Sequence, residues 1–379
     1  MKRMLQLAGA VGLSCVAATA VQAADDLSVA VIRWDPADIY FNGVQLGQEI
    51  ERQNIEKADG VKIDFRVFGA NDVSAQKNAL DAQLSRGVDG VLLVPWRGEA
   101  MRGSLGEMKR EGTPVVTSNA WVPGSEQIFV AFANEDAGRL GGEAIVKRLN
   151  ELHGEDWPEK GGVIIELRCI VTASFDIGRH TGYRSVFDPI VEANSKVVIE
   201  TREAGCDGSK AREAVDDIIS RYGPENILAV ASIDGTMGVG GAVPALQAQG
   251  LLLPPDDPGH IPIATVDGTL PELEAMGRGH IDHISVQPAT GEGIVTMRLL
   301  YQMMKEGSTS VTEEAVADLL TGDELWQPVE VITTDAFPGL WFKTRAYGIP
   351  GDVAHDDPRN WAIQMYEVKN GKLPDFVSQ

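Results

Sequence analysis

The chain has 379 residues, enough for two domains of ordinary size, and at 44% hydrophobic and 23% charged it has the balance of a protein that buries a sizeable core. Its formal net charge of −22 argues against a nucleic-acid partner and against a basic membrane-surface patch, since both need clusters of Lys and Arg. A diffuse negative field also repels anions, so a neutral ligand is the easier expectation.

Lys2 and Arg3 precede an apolar segment that runs to Ala20, and Val21-Gln22-Ala23 supplies small residues on the amino side of a cut after Ala23. This reads as a secretory signal peptide over 1–23, with an exported mature chain. The removed segment carries two basic residues and no acid, so the mature charge is near −24. No later apolar run reaches the ~20 residues of a membrane span, and no stable membrane insertion is expected.

The run over 27–34 is rich in β-branched residues and predicts a first strand that stops at Asp35-Pro36. A helix is expected over 40–57, a strand over 62–68, a helix over 74–86, and a continuously apolar strand over 90–95. A helix over 99–111 closed by Gly112 follows, then strands over 114–117 and 129–132. The alternation restarts with a helix over 134–152, a strand over 163–167, a helix over 179–194 and a strand over 196–200. A helix over 209–221, a strand over 227–231 and a helix over 237–249 continue it. The stretch 261–288 then reads as strand, short helix and strand, a βαβ unit whose strands are parallel and share one edge. Beyond it come a helix over 291–305, a polar segment over 307–323, a strand over 326–333, and a tail from Thr334 without a clear period.

The fold class is therefore α/β, with two doubly wound parallel-sheet (Rossmann-like) domains joined by a hinge. The expected division is a first domain of 24–133 plus about 288–324 and a second of 134–287 plus about 325–335. The extension 336–379 has no placement.

Ligands of open α/β sheets bind beyond the carboxyl ends of the strands. Trp34, Trp96 and Trp121 fall at three such ends in the first domain, and the chain has only seven Trp; Tyr40 and Phe41 follow the first turn. Phe175, Arg179, Asp234, Asp267 and Gln287 follow strands of the second domain, and Asn119 ends the fourth strand of the first. Flat aromatic faces stack on the C–H faces of sugar rings, and the Asp, Asn, Gln and Arg side chains bond to hydroxyls, so a polyhydroxylated ligand is expected. Each of Asp234 and Asp267 precedes a helix and also reads as a simple N-cap.

Catalytic signals are weak. His153, His180, His260, His280, His283 and His355 show no metal-ligand spacing, and the close pair His280 and His283 is expected on the surface of a strand. No GxSxG elbow or Walker A motif occurs, and Gly238-Val239-Gly240-Gly241 lacks the GxGxxG spacing of a dinucleotide turn. No enzyme activity, cofactor or metal is expected.

The leader, the two tandem domains and these residues together resemble the periplasmic substrate-binding proteins of sugar ABC transporters, of the ribose/galactose type with the type I architecture. The resemblance spans 27–305. It is carried by Val29-Ala30-Val31-Ile32, Ile39-Tyr40-Phe41-Asn42-Gly43, Gly87-Val88-Asp89-Gly90-Val91-Leu92-Leu93, Pro114-Val115-Val116-Thr117, Gly182-Tyr183 and Val266-Asp267-Gly268-Thr269. It implies a monomer that holds a small neutral sugar or polyol between its domains, closes on it, and is recognised by an ABC transporter permease at the membrane. It implies stacking by Tyr40 and Phe41, and hydroxyl contacts from Asn119, Asp234, Asp267 and Gln287. Ile177 and Cys206 stand where the family has an Arg and an aromatic residue, and Trp34 and Trp96 are not typical of the ribose type. A sensing receptor for chemotaxis or a sensor kinase shares the fold and stays open as an alternative, and an exported NAD(P)-dependent oxidoreductase is a more distant one.

Two cysteines outlast the leader, Cys169 and Cys206. If the strands over 163–167 and 196–200 are neighbours, about 4.8 Å apart, a disulfide between these cysteines is within reach. Asp267→Ala is expected to cost affinity without loss of folding.

Overall fold

The computed structural model describes residues 26–70, 72–122, 128–334 and 337–377, and the signal peptide expected over 1–23 lies outside the described residues. The first lobe begins with β1 (Leu27–Arg33), α1 (Ile39–Asp59), β2 (Ile63–Gly69), α2 (Val73–Arg86), β3 (Gly90–Leu93), α3 (Gly98–Glu111), β4 (Val115–Ser118) and β5 (Ile128–Phe132), strands and helices alternating up to β4. The second holds α4 (Asn134–His153), α5 (Trp157–Lys160), β6 (Gly162–Arg168), α6 (Ser174–Ala193), β7 (Val197–Glu203), α7 (Gly208–Tyr222), β8 (Ile227–Ser232), α8 (Gly235–Met237), α9 (Val243–Ala248), β9 (Ile263–Asp267), α10 (Leu270–Gly277) and β10 (His283–Val286). The chain ends with α11 (Ala289–Glu306), α12 (Ala317–Leu320), β11 (Glu330–Thr334), β12 (Phe337–Thr344), β13 (Tyr347–Ile349) and α13 (Trp361–Asn370).

The first sheet runs β11-β12-β5-β4-β3-β1-β2 and the second β13-β10-β9-β8-β6-β7. Apart from the antiparallel edges β11 on β12 and β13 on β10, every pairing is parallel. Both sheets repeat one doubly wound order, with the direction of winding reversing at β1/β3 in the first and at β6/β8 in the second. The central strands β3, β4 and β5 are buried at every residue, as sheets covered on both faces require.

The helices that cover the sheets come together at glycines. A Cβ on Gly293 of α11 would collide with the Val44 carbonyl of α1, and one on Gly138 of α4 with the Arg179 carbonyl of α6. The second contact packs α6, the helix that carries Arg179, closely against α4.

The chain passes between the sheets three times, at Ala133, at Gln287-Pro288 and at Arg345-Ala346. Ala133 N–H donates to the Thr344 carbonyl at 2.9 Å, tying the first and third passages together. The strand expected over 326–333 and assigned to the second domain is instead β11, at the edge of the first sheet. The tail left unplaced supplies β12 to the first sheet, β13 to the second, and α13. The reason is physical: an apolar run announces a strand, but β12 finds its partner in β5, far away in the chain, and β11 joins the same sheet as the antiparallel neighbour of β12.

Candidate functional site

The carboxyl edges of the two sheets face a cavity of about 590 Å³, inside the range usual for small-molecule sites. Ten of the eleven residues singled out from sequence line it: Trp34, Tyr40, Phe41, Trp96, Asn119, Phe175, Arg179, Asp234, Asp267 and Gln287. Trp121 does not. It packs on Phe129 and Trp341, with ring centroids 5.6 and 6.3 Å away, because β12 adds a strand beside β5 and covers it.

The aromatic wall follows from the winding. β1 and β3 are hydrogen-bonded neighbours, so the residues just past their ends meet: the Trp34 and Trp96 rings stand edge to face at 3.9 Å. Phe41 stacks on Trp34 at 5.6 Å. Asp38 is the N-cap of α1 and accepts from the Tyr40 and Phe41 N–H groups, which sets where those two rings leave the helix. Buried Gln76 holds the other side, donating to the Val94 carbonyl and accepting from Trp96 N–H, each at 2.8 Å.

The polar wall is organised by Arg179, which is 3% exposed. Its guanidinium donates to Asn134 Oδ1 at 3.0 Å, the Ile233 carbonyl at 2.7 Å, Asp267 Oδ1 at 3.2 Å and Gln287 Oε1 at 2.5 Å. It lies between the Phe132 and Phe175 rings, 5.1 and 5.3 Å from their centres. Gln287 carries the chain of bonds into the first lobe, donating to Tyr40 Oη at 2.6 Å, Asn119 Oδ1 at 3.3 Å and Glu292 Oε2 at 3.3 Å. Tyr40 in turn donates to the Glu292 carboxylate. The two lobes are thus joined by one network of side chains that also faces the cavity.

The two aspartates divide between the readings left open above. Asp234 is a cap, its Oδ1 accepting from Met237 N–H at 3.1 Å while it lines the cavity. Asp267 caps nothing, because Thr269 and Glu272 form the capping box of α10. Instead Asp267 pairs with Arg179 and accepts from Gly235 N–H at 3.1 Å. Asp267 is therefore the partner of a buried cation as well as a cavity residue. His283 is not on the surface: it is 5% exposed on β10, and burial pushes its imidazole down to about 4. The glycine run over 238–241 lies in a wide π-helical turn after Asp234, with Val239 and Gly240 on the cavity wall, and is no dinucleotide turn. Among the described residues no group of His, Cys, Asp and Glu is placed to hold a metal ion.

The profile of the periplasmic binding protein domain matches residues 18–309 of the chain. The chain belongs to the periplasmic binding protein family. A xylitol-binding protein of Mycolicibacterium smegmatis is 23% identical to this periplasmic binding protein over 92% of this chain and 94% of its own. A D-xylose-binding periplasmic protein of Haemophilus influenzae is 25% identical over 62% of this chain and 67% of its own. An ABC transporter solute-binding protein of Agrobacterium vitis, solved with bound D-fucose, has the same fold with a TM-score of 0.65 at 18% identity, covering 88% of this chain and 99% of that one.

Glu292 is the member of this binding protein's site network that sequence does not single out. Its only local signal is an acid in the first turn of a helix. The side chain is fully buried, and burial pushes its carboxyl up to about 7, against the hydrogen bonds from Tyr40 and Gln287. Burial likewise lifts Glu272 to about 7 and Asp234 to about 6, and it holds Asp267 above its ordinary range despite Arg179.

These shifts fix the sign of the pH dependence. Between about pH 4.5 and 7 the folded chain keeps protons that the unfolded chain has released, so stability falls as pH rises through that window. Glu292 alone, displaced from 4.5 to about 7, accounts for at most about 3 kcal/mol. The melting temperature of ligand-free protein is expected to climb as pH is lowered from 7.5 to 5.5, with a shallower climb in Glu292→Gln. A melting temperature that holds level or drops over that range contradicts the assignment.

Proposed function

We propose that this periplasmic binding protein is exported, captures a small neutral sugar or polyol between its lobes, and delivers it to an ABC transporter permease. One observation carries the reading. A single cavity is lined by the rings of Trp34, Phe41, Trp96 and Phe175 and by a set of hydrogen-bonding groups, Asn119, Arg179, Asp234, Asp267 and Gln287, drawn from both lobes. Rings suit the C–H faces of a polyol carbon chain or pyranose, and the polar set suits its hydroxyls. The charge of Arg179 is answered by Asp267, so among the described residues the cavity offers no free cation for an anionic ligand. Relatives named for xylitol and D-xylose binding, and a structural neighbour holding D-fucose, support the same class.

A ligand that touches both walls binds the closed arrangement better than an open one, and closure follows from that difference. The passages at Ala133, Pro288 and Arg345-Ala346 are where the backbone bends. The closed form is the one a permease reads. The leader over 1–23 supports export, and the oxidising compartment it leads to supports a disulfide between Cys169 and Cys206.

A thermal-shift screen with xylitol, D-xylose, D-ribose, D-fucose and myo-inositol tests the class. A ligand at 100 times its Kd adds about 2.7 kcal/mol of stability, and no response from any neutral sugar or polyol overturns the reading. Asp267→Asn then tests the site. The amide has the same shape and keeps an oxygen that can accept from Arg179, so the variant is expected to fold. Affinity for the ligand found is expected to fall about 10- to 100-fold, the value of a hydrogen bond to a charged group. Unchanged affinity by calorimetry removes Asp267 from the site.

A further inference from the structure

The last helix belongs to the tail that sequence leaves unplaced, and its first residue reaches the middle of the molecule. Trp361 is 2% exposed. Its indole N–H donates to the Asp267 carbonyl at 3.0 Å, and the same carbonyl accepts from Gln287 N–H at 3.2 Å. Asp267 has φ 129°, a region that side-chain-bearing residues rarely adopt, so its backbone needs holding from outside. The other side of the indole faces the first lobe. It meets Tyr40 edge to face at 6.4 Å and lies on α1 at Gly43, where a Cβ would come within 2.8 Å of the ring.

The chain leading to Trp361 is anchored in the same place. β13 pairs with β10 up to Tyr347 opposite Val286, the residue before Gln287. Tyr347 Oη donates to Asn360 Oδ1 at 3.3 Å, and Asn360, fully buried, precedes Trp361. One side chain therefore touches the helix that carries Tyr40 and Phe41 and the strand end that carries Asp267, beside Gln287.

The geometry points to Trp361 as a positioning residue for ligand capture: its N–H fixes the Asp267 backbone, and its ring sets that strand end against Tyr40. The inference rests on the sugar or polyol reading for its ligand, and on the backbone contacts alone for its mechanism. An apolar residue of similar size would fill the space equally well, so what separates positioning from packing is the N–H.

Trp361→Phe keeps an aromatic ring beside α1 and removes that donor, together with part of the indole's volume. Calorimetry with xylitol and with D-xylose is expected to show binding about tenfold weaker than wild type, from the loss of one buried hydrogen bond. Hydrogen exchange on the ligand-free protein supplies a readout that needs no ligand. Peptides covering 263–268 and 283–288 are expected to exchange about fivefold faster in the variant, with the helix 208–222 unchanged. Exchange at wild-type rates in both peptides overturns the proposal, as does a variant with no thermal transition, which assigns Trp361 to packing alone. If the wild type binds neither sugar while exchange responds as stated, the choice of ligand fails and the positioning role stands.

Discussion

Arg179→Met is expected to lower the stability of the ligand-free protein by about 3–5 kcal/mol, the usual cost of removing one partner of a buried pair, and to abolish binding. The substitution preserves much of the side chain's volume, so the loss is electrostatic. Asn134 Oδ1, the Ile233 carbonyl and Gln287 Oε1 each lose a donor, and Asp267 keeps only the Gly235 N–H. Gln287 also loses the contact that orients its amide towards Tyr40 and Asn119, which loosens the link between lobes. Arg179→Lys restores the charge without the planar fork that reaches four partners, so it is expected to recover part of the stability and little of the affinity. Lower pH should narrow the gap between Met variant and wild type, because protonated Asp267 carries no charge to strand. Urea unfolding at pH 5.5 and 7.5 checks both points. A Met variant within about 0.5 kcal/mol of wild type, the range of an ordinary surface change, would show that the cation has no structural part.

The second large effect concerns Cys169 and Cys206. β6 and β7 are parallel neighbours in register, Arg168 opposite Glu203, and the two cysteines follow those strand ends with Cα atoms 4.4 Å apart. That spacing is at the near end of the disulfide range. The sequence separation is 37 residues, and on the loop-entropy model closing it stabilises by about 4 kcal/mol. Replacing both residues by Ala is expected to cost that amount in unfolding experiments under non-reducing conditions. Cys206 also lines the cavity, and Cys169 N–H donates to Asp176 Oδ2 at 2.8 Å in the first turn of the helix bearing Arg179. The double variant should therefore bind more weakly as well. Thiol counting on the denatured, unreduced mature protein is expected to find none, and two free thiols would remove the bond.

Much of the fold is legible in the sequence because its signals are local. Asp38 before Tyr40, Asp72 before α2, and Gly60, Gly87 and Gly112 after helices mark where elements start and stop. Continuous apolar runs such as 90–94 announce strands covered on both faces. The ten cavity residues were within reach for one reason. Ligand edges of doubly wound sheets lie at strand carboxyl ends, and those ends can be read without knowing strand order.

What escaped is whatever depends on partners distant in the chain. Trp121 sits at a strand end like Trp34 and Trp96, yet β12, from the unplaced tail, covers it. Glu292 looks like any first-turn helix acid until Tyr40 and Gln287 close over it. Asp234 and Asp267 look alike in sequence; only the approach of Arg179 makes one a counter-ion and leaves the other a cap. The sequence by itself determined the alternation of strands and helices, the two-lobed α/β class, and which side chains reach the carboxyl edges, all set by local propensity and periodicity. The tertiary structure alone decided that the tail crosses back through both sheets, that Trp361 braces the Asp267 carbonyl, and that Arg179 ties the edges of the second lobe to Tyr40 of the first. Those are pairings between groups up to hundreds of residues apart, and which pair wins is settled by burial and hydrogen-bond satisfaction across the whole chain.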